Sequence, residues 1–460
     1  MSFNHLGLAE PLVRAIEAKG YTEPTPIQRD SIPLLLEGRD LLGIAQTGTG
    51  KTAAFVLPSI QRLAAAQKRV LPYHCRMLVL APTRELANQI ADSARDYGKF
   101  SRIAVATVFG GTSINKNRQD MSRGVDILVA TPGRLIDLIE QRFVDLSMLE
   151  ILVLDEADQM LDLGFIHALR KIVRLLPRQR QSLFFSATMP TAIRTLADQF
   201  LTDPATVSVK PAATTAERVE QHVTFVNQAE KQSLLTLILQ REAIDRALIF
   251  TRTKHGADRV VKLLAGNGIA SNAIHGNKSQ PQRERALGAF KDGSVPILVA
   301  TDIAARGIDV SGVSHVVNFE LPNVPEQYVH RIGRTARAGA SGIALSFCAD
   351  DEKPFLKDIE KTTRQKITIA PLPDDFTNLS NQIKSTRQKA IGDDPAARAD
   401  RPRGPSGTRP PRATHAPRPA NPYAPRGRVG NSRRPGGGGG AGGGGGGGGG
   451  GRGRPQAGAR

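Results

Sequence analysis

Tryptophan is absent from this 460-residue chain, and aromatic residues make up 5% of it, so a platform of stacked rings cannot dominate its recognition of a ligand. Cysteine is nearly absent as well. Cys75 and Cys348 are too few for a disulfide framework and lack the paired spacing of a zinc site. A reducing compartment is the expectation, and with it a cytoplasmic location. No apolar run reaches the length that crosses a bilayer. Met1 to Tyr21 carries acids and no secretory-type apolar core. Acids are in deficit too: 43 Asp and Glu face 62 Lys and Arg, a net charge of +19. That surplus points to a polyanionic partner.

What is present is an alternation of short apolar runs with amphipathic stretches. In residues 1–209 the runs include Met77–Leu80, Ile103–Val108, Ile127–Ala130, Ile151–Leu154 and Leu183–Phe185. Phe165–Leu176 places Ile166, Leu169, Ile172, Val173 and Leu176 at helical spacing. Residues 210–217 have no periodicity and read as a linker. The pattern then resumes over 218–371, with runs at Val223–Val226, Ala247–Phe250, Ile297–Ala300, Val316–Phe319 and Ile343–Phe347. The fold class predicted is α/β, with parallel sheets covered by helices. Ile127–Thr131 and Ile297–Thr301 echo one another, a hint that the two regions are related. Residues 372–460 form a basic tail, which from about Asp393 collapses into Arg, Pro and Gly. Thirteen arginines between Arg398 and Arg460 face one acid, Asp400. Such a segment buries too little apolar surface to offset its ordering entropy and is expected to be disordered.

Ala45-Gln46-Thr47-Gly48-Thr49-Gly50-Lys51-Thr52 matches the phosphate-loop pattern from Gly50 onward, with Ala45 in place of the usual first Gly. Gly48 and Gly50 let backbone N–H groups curl toward phosphate oxygens, and a helix N-terminus adds its positive end. Lys51 supplies charge to the β/γ-phosphates, and the Thr52 hydroxyl suits Mg²⁺. About one hundred residues downstream, Ile151–Leu154 reads as a buried strand delivering Asp155-Glu156-Ala157-Asp158 to its C-terminal edge. Asp155 would hold Mg²⁺ through water, and Glu156 would orient or deprotonate the attacking water. Upstream, Pro24 and Pro26 are expected to fix an extended segment holding Gln28, whose amide matches the N6 and N7 edge of adenine. Arg334 and Arg337, three apart, are expected on one face of a helix.

Together these segments resemble the DEAD-box ATP-dependent RNA helicases over nearly all of residues 1–370. Phe3 and Gly20–Gln28 are similar to the adenine-reading Q motif, and Ala45–Thr52 to motif I. Pro82–Leu86 is similar to motif Ia; Gly110-Gly111 and Thr131–Arg134 resemble the next RNA-contacting motifs. Asp155–Asp158 resembles motif II, Ser186-Ala187-Thr188 motif III and Leu248–Arg252 motif IV. Gln280 with Arg283 resembles the Gln-x-x-Arg element. Thr301-Asp302 with Arg306–Asp309 resembles motif V, and His330–Arg337 motif VI. Ala336, where the family usually has Gly, makes Thr335-Ala336-Arg337 similar to the bacterial RhlE-type subgroup.

The resemblance implies two tandem RecA-like domains, over 1–209 and 218–371, with ATP and Mg²⁺ bound between them. It casts Arg334 and Arg337 as arginine fingers and Asp309 as a contact to the ATP ribose. Asp158, Ser186, Thr188 and His330 would couple the nucleotide site to RNA. RNA would run over Thr83, Arg84, Gly111, Thr131, Arg134, Arg252 and Thr301, through backbone contacts with little sequence preference. The implied work is local separation of short duplexes or remodelling of RNA–protein complexes. Ribosome-assembly or RNA-degradation factors would be its partners. An RNA clamp, or a DNA helicase of the same superfamily, are the competing readings; a clamp would have no use for Lys51, Glu156, Arg334 and Arg337.

Overall fold

The computed structural model describes residues 2–46, 48–66, 68–209, 219–305, 308, 310, 312–336 and 342–383. The 210–217 linker and the Arg-rich tail from 384 onward lie outside the described residues.

Strands β1 (Leu41–Ile44), β2 (Cys75–Leu80), β3 (Val105–Val108), β4 (Val125–Ala130), β5 (Ile151–Leu154), β6 (Gln181–Ser186) and β7 (Ala205–Ser208) form one parallel sheet. A second parallel sheet contains β8 (Val219–Phe225), β9 (Ala247–Thr251), β10 (Asn272–Ile274), β11 (Ile297–Thr301), β12 (His315–Asn318), β13 (Gly342–Cys348) and β14 (Thr368–Ile369). The first runs β3-β4-β2-β5-β6-β1-β7 and the second β10-β11-β9-β12-β13-β8-β14. Counted within each sheet, the two orders are the same. The echoing segments Ile127–Thr131 and Ile297–Thr301 fall on β4 and β11, the fourth strand of each, so the internal echo marks a duplicated fold.

The sheets are buried on both faces, which is why their strands read as unbroken apolar runs. Along β2, Met77 and Val79 pack with Phe55 and Ile90, while Leu78 and Leu80 pack on the other face with Leu135 and Leu138. In β9, Ile249 packs with Leu235 and Leu264, and Leu248 and Phe250 pack oppositely with Phe290. The helix expected over Phe165–Leu176 spans Ile166–Val173. Four strands escape a reading of apolar runs. Gly43 interrupts β1, β7 is half polar, and β10 and β14 have only three and two residues. Packing on the second sheet also continues past residue 371, where Phe376 is buried and Leu372, Leu379 and Ile383 pack beside it. Among the described residues, no helix is long and apolar enough to cross a membrane.

Candidate nucleotide site and the cleft between the sheets

The described candidate residues of the first half stand at or just beyond the C-terminal end of a strand, or on a helix packed there, where an open α/β sheet presents its ligand crevice. After β1, the chain turns through Gly48 (φ 83°) and Gly50 (φ 92°) into the helix Lys51–Ala66. The Thr49 hydroxyl donates to the Gln46 carbonyl at 2.7 Å and tightens this loop. Lys51 is 5% exposed, and its ammonium donates to the Ala45 carbonyl at 2.8 Å. Thr47 lies outside the described residues.

Gln28 is positioned differently from the extended-segment expectation. Pro26 opens the helix Pro26–Leu36, with Thr25 as its cap and Gln28 as the third helical residue. Only Pro24 lies in the extended approach, because proline at a first helical position costs no hydrogen bond. The Gln28 amide accepts from Thr25 N at 3.0 Å and donates to the Gly50 carbonyl at 3.1 Å. A Cβ at Gly50 would lie 2.4 Å from Gln28 Nε2, so only glycine allows this approach. Gln28 is therefore bonded directly to the phosphate loop.

Beyond β5, Asp155 and Glu156 are both buried, at 2% and 1% exposure. Burial pushes the Asp155 carboxyl up to about 7; the Lys51 ammonium opposes the shift and Glu156 adds to it. A buried carboxyl under that pressure is a group that gains from a cation beside it. Together with the Thr52 hydroxyl on the cleft wall, it makes an oxygen donor set suited to a hard ion such as Mg²⁺. Glu156 occupies the left-handed region (φ 53°, ψ 51°), strain of the kind that functional sites retain. Asp158 faces another strand end. Its Oδ2 accepts from Ala187 N at 3.1 Å, Thr188 N at 3.0 Å and Thr188 Oγ1 at 3.0 Å. Ser186 Oγ donates to the Thr188 carbonyl at 2.7 Å. Asp158 and the Ser-Ala-Thr turn are thus one bonded unit.

These groups line a cleft of about 820 Å³. Phe3, Gln28, Gly48, Gly50, Lys51, Thr52, Asp155 and Glu156 come from the first half, and Lys291 and Arg334 from the second. Arg334 is 6% exposed and donates to the Ile308 carbonyl at 3.0 Å. The expectation that it lies on a helix is corrected: the helix Pro325–Ile332 is capped by Gly333, and Arg334 sits in the turn beyond. Two residues on, Ala336 takes φ 53°, which closes off helical continuation. Arg337 and Asp309 lie outside the described residues. His330 lines a small pocket with Arg331 and Arg334.

A second cleft, about 360 Å³, is lined by Thr83, Arg84, Thr131 and Arg134 of the first half and by Gly276, Arg283 and Ile303 of the second. Thr83 caps the helix Arg84–Tyr97 by accepting from Leu86 N at 3.2 Å. Burial and the nearby Arg283 guanidinium hold Arg84 below the usual arginine value, with Arg134 contributing. Glu85, which pairs with Arg283, opposes the shift, so Arg84 shares this cleft with two further guanidinium groups and one carboxylate. Arg134 donates to the Thr112 carbonyl at 2.9 Å and to Asn117 Oδ1 at 3.0 Å. Thr301 ends β11 just before Ile303. Arg252 stands apart at the end of β9, beside Glu320 and Glu352.

Gly111 has φ 89°, and a Cβ there would come 2.2 Å from Arg84 Nη1. Gly111→Ala is therefore expected to cost about 1–2 kcal/mol in backbone strain alone and to displace Arg84. Thermal unfolding should show a midpoint several degrees lower; an unchanged midpoint would mean that the loop relaxes freely.

Spacing gave no sign of how the halves meet. Arg283 Nε donates to Glu85 Oε1 at 2.7 Å across 198 residues of sequence, with side-chain exposures of 8% and 5%. Arg84 Nη1 reaches Gln280 Oε1 at 3.3 Å. Arg331, 1% exposed, grips Asp302 at 2.5 and 2.8 Å and donates to the Glu320 carbonyl at 2.7 Å. A single-sequence reading sees such residues only as members of motifs.

Comparison with known proteins matches this arrangement. The DEAD/DEAH box helicase family profile covers residues 25–196, and the helicase conserved C-terminal domain profile covers 229–339. The DEAD-box ATP-dependent RNA helicase CshA of Bacillus cereus (strain ATCC 10987 / NRS 248) is 42% identical over 372 residues, 81% of this chain and 70% of that protein. The chain belongs to the DEAD-box RNA helicases. Its enzyme class is accordingly that of the RNA-dependent ATPases, and its two sheets are the RecA-like domains of that family. The Geobacillus kaustophilus (strain HTA426) CshA is 43% identical over 366 residues, 80% of this chain and 77% of that protein. Among solved structures, S. cerevisiae Dbp5 bound to RNA and ADP BeF3 is similar at TM-score 0.73 and 33% identity, covering 84% of this chain and 99% of that one. These DEAD-box relatives carry the name CshA, so the RhlE-type likeness rests on Thr335-Ala336-Arg337 alone.

Proposed function

We propose that this DEAD-box protein separates short RNA duplexes or remodels RNA–protein complexes by closing its two halves around ATP and RNA. The observation that carries the reading is the split nucleotide cleft. Lys51, Asp155 and Glu156 stand on one half, and Arg334 faces the same cleft from the other. Neither half holds a complete set for phosphoryl transfer.

In this reading Lys51 leaves the Ala45 carbonyl for the β/γ-phosphates, and Gln28 passes occupancy of the loop to the adenine side through Gly50. Asp155 and Thr52 would hold Mg²⁺, which when bound neutralises phosphate charge. Glu156 orients the attacking water. Arg334, with Arg337, stabilises the charge that develops on the transferred phosphoryl group. Asp158, bonded to Ala187 and Thr188, carries the state of the acids toward the RNA side.

RNA would lie along the second cleft. Arg84 and Arg134 meet its phosphates, and Thr83, Gly111, Thr131 and Thr301 offer hydroxyl and backbone contacts. Such contacts follow backbone shape, so little sequence preference is expected. ATP and RNA each favour the closed arrangement, which makes their binding mutually reinforcing. The Arg-rich tail would tether RNA in a salt-dependent way. Ribosome-assembly and RNA-degradation factors remain the candidate protein partners.

The test is release of a labelled strand from a short RNA duplex, with and without ATP. ATP-dependent release is expected. Arg283→Met should weaken it by about a hundredfold in RNA requirement, because removing one member of a buried pair strands the other, at about 3 kcal/mol, only when the halves are together. Adding Glu85→Gln should recover much of the loss. Release that is equal without ATP would end the helicase reading.

A further inference from the structure

Outside both clefts the second half contains a buried ion pair that no part of the account above uses. Lys231 opens the helix Lys231–Arg241, and Glu352 precedes the helix Lys353–Thr363. Their side chains bond to each other with 0% exposure on either side. Such a pair is poor value as a stabiliser, since apolar residues of the same volume hold a core as well or better. Its other contacts are more informative. Glu352 Oε2 also accepts from Ala349 N at 3.0 Å, and Oε1 accepts from Leu321 N at 3.2 Å. The same Oε1 lies 3.3 Å from Arg252 Nη2.

Three segments following adjacent strands β9, β12 and β13 are thus gathered on one carboxylate. Glu320 assists: its Oε2 accepts from Arg252 N at 2.8 Å, and its Oε1 lies 3.6 Å from Arg252 Nη2. The Glu320 carbonyl in turn accepts from Arg331, which grips Asp302. One polar chain therefore runs from Lys231 through Arg252 to Asp302, which opens the short helix Asp302–Ala305 after Thr301.

We propose that Glu352 is a positioning residue that holds Arg252 ready for an RNA phosphate, with Lys231 balancing its charge. The proposal rests on the reading of Arg252 as an RNA contact. The physical reasons are two. An arginine loses considerable rotamer freedom when it binds, and a guanidinium anchored in advance has already lost it. A single buried carboxylate facing Arg252 alone would pair with it fully. Lys231 takes up that charge, and Arg252 keeps 33% of its side chain exposed.

The experiment measures the RNA concentration for half-maximal ATPase in the full-length protein. Arg252→Ala is compared with the double variant Lys231→Met/Glu352→Gln, which removes both buried charges and leaves one acceptor oxygen, enough for Leu321 N or Ala349 N but not both. The double variant leaves one buried N–H without its acceptor, so it is expected to unfold below the wild-type midpoint while keeping its ATP KM and RNA-free rate. Its RNA half-saturation should rise about tenfold, the scale of one charge-assisted hydrogen bond. Adding Arg252→Ala to it should raise that value little further. If the double variant does not fold, Glu352→Asp, which keeps the charge and shortens the reach, should show the same rise. Unchanged RNA half-saturation in the folded Glu352 variant, beside a raised value in Arg252→Ala, would overturn the positioning role. No change in Arg252→Ala itself would instead overturn the RNA contact, and the proposal with it.

Discussion

Glu156→Gln is expected to lower the RNA-stimulated kcat for ATP hydrolysis by about 10²–10⁴-fold, the usual worth of a placed general base. The substitution keeps shape and hydrogen-bonding capacity and removes the charge that would attract a proton. Nucleotide affinity should change little, because the phosphate-loop groups Gly48, Gly50 and Lys51 are untouched. Initial rates at saturating ATP and RNA, with equilibrium nucleotide binding, separate the two effects. The left-handed backbone of Glu156 constrains the choice of variant. Glycine would relieve the strain at φ 53° and loosen the site as well, so a loss in Glu156→Gly would mix two causes. A fully active Glu156→Gln enzyme would remove this carboxylate from the chemistry.

Arg334→Ala should be at least as damaging. A guanidinium supplied to a transferring phosphoryl group is worth about 10³–10⁵ in kcat. Arg334 is already well placed, being buried and held to the Ile308 carbonyl at 3.0 Å. That bond orients it without neutralising it, since a carbonyl carries no formal charge. The loss should appear in kcat with RNA present and be small without RNA, when the second half is free to move away. Arg334→Lys should recover little, because a point charge on a flexible stem does not reproduce a planar fork.

How much of this was legible in the sequence depends on the distance over which each feature is specified. The strand Ile151–Leu154 and the acids after it were readable, because an apolar run ending in carboxylates is a local pattern. The same holds for Gly48, Gly50 and Lys51, where a loop and a helix start share eight residues. Gln28 was misplaced although its signal was local: Thr25 followed three residues later by Gln is a capping pattern, and proline opens helices as readily as it extends a chain. Spacing puts Arg334 on a helix, yet the helix stops at Ile332 with Gly333 as its cap. The pair Glu85–Arg283 lay beyond reach altogether, since nothing in either neighbourhood encodes a partner 198 residues away. The same holds for Lys231 and Glu352, which pair across 121 residues of sequence.

The duplicated strand order gives the split site a structural origin. Equivalent strand ends in the two halves carry different chemistry: Asp155 and Glu156 follow β5 in the first half, and Phe319 and Glu320 follow β12 in the second. The first half received phosphate loop and acids, the second the arginines. A fold that bound a nucleotide wholly within one half would have no need of RNA to hydrolyse it.

In the mechanism we propose, RNA completes the hydrolytic centre by bringing Arg334 to the acids. The most direct measurement is the ratio of steady-state ATP turnover with saturating RNA to turnover without it, in the wild type and in Arg334→Ala. A large ratio in the wild type that falls toward one in Arg334→Ala is predicted. A wild-type ratio near one, or an undiminished ratio in Arg334→Ala, would rule out this coupling.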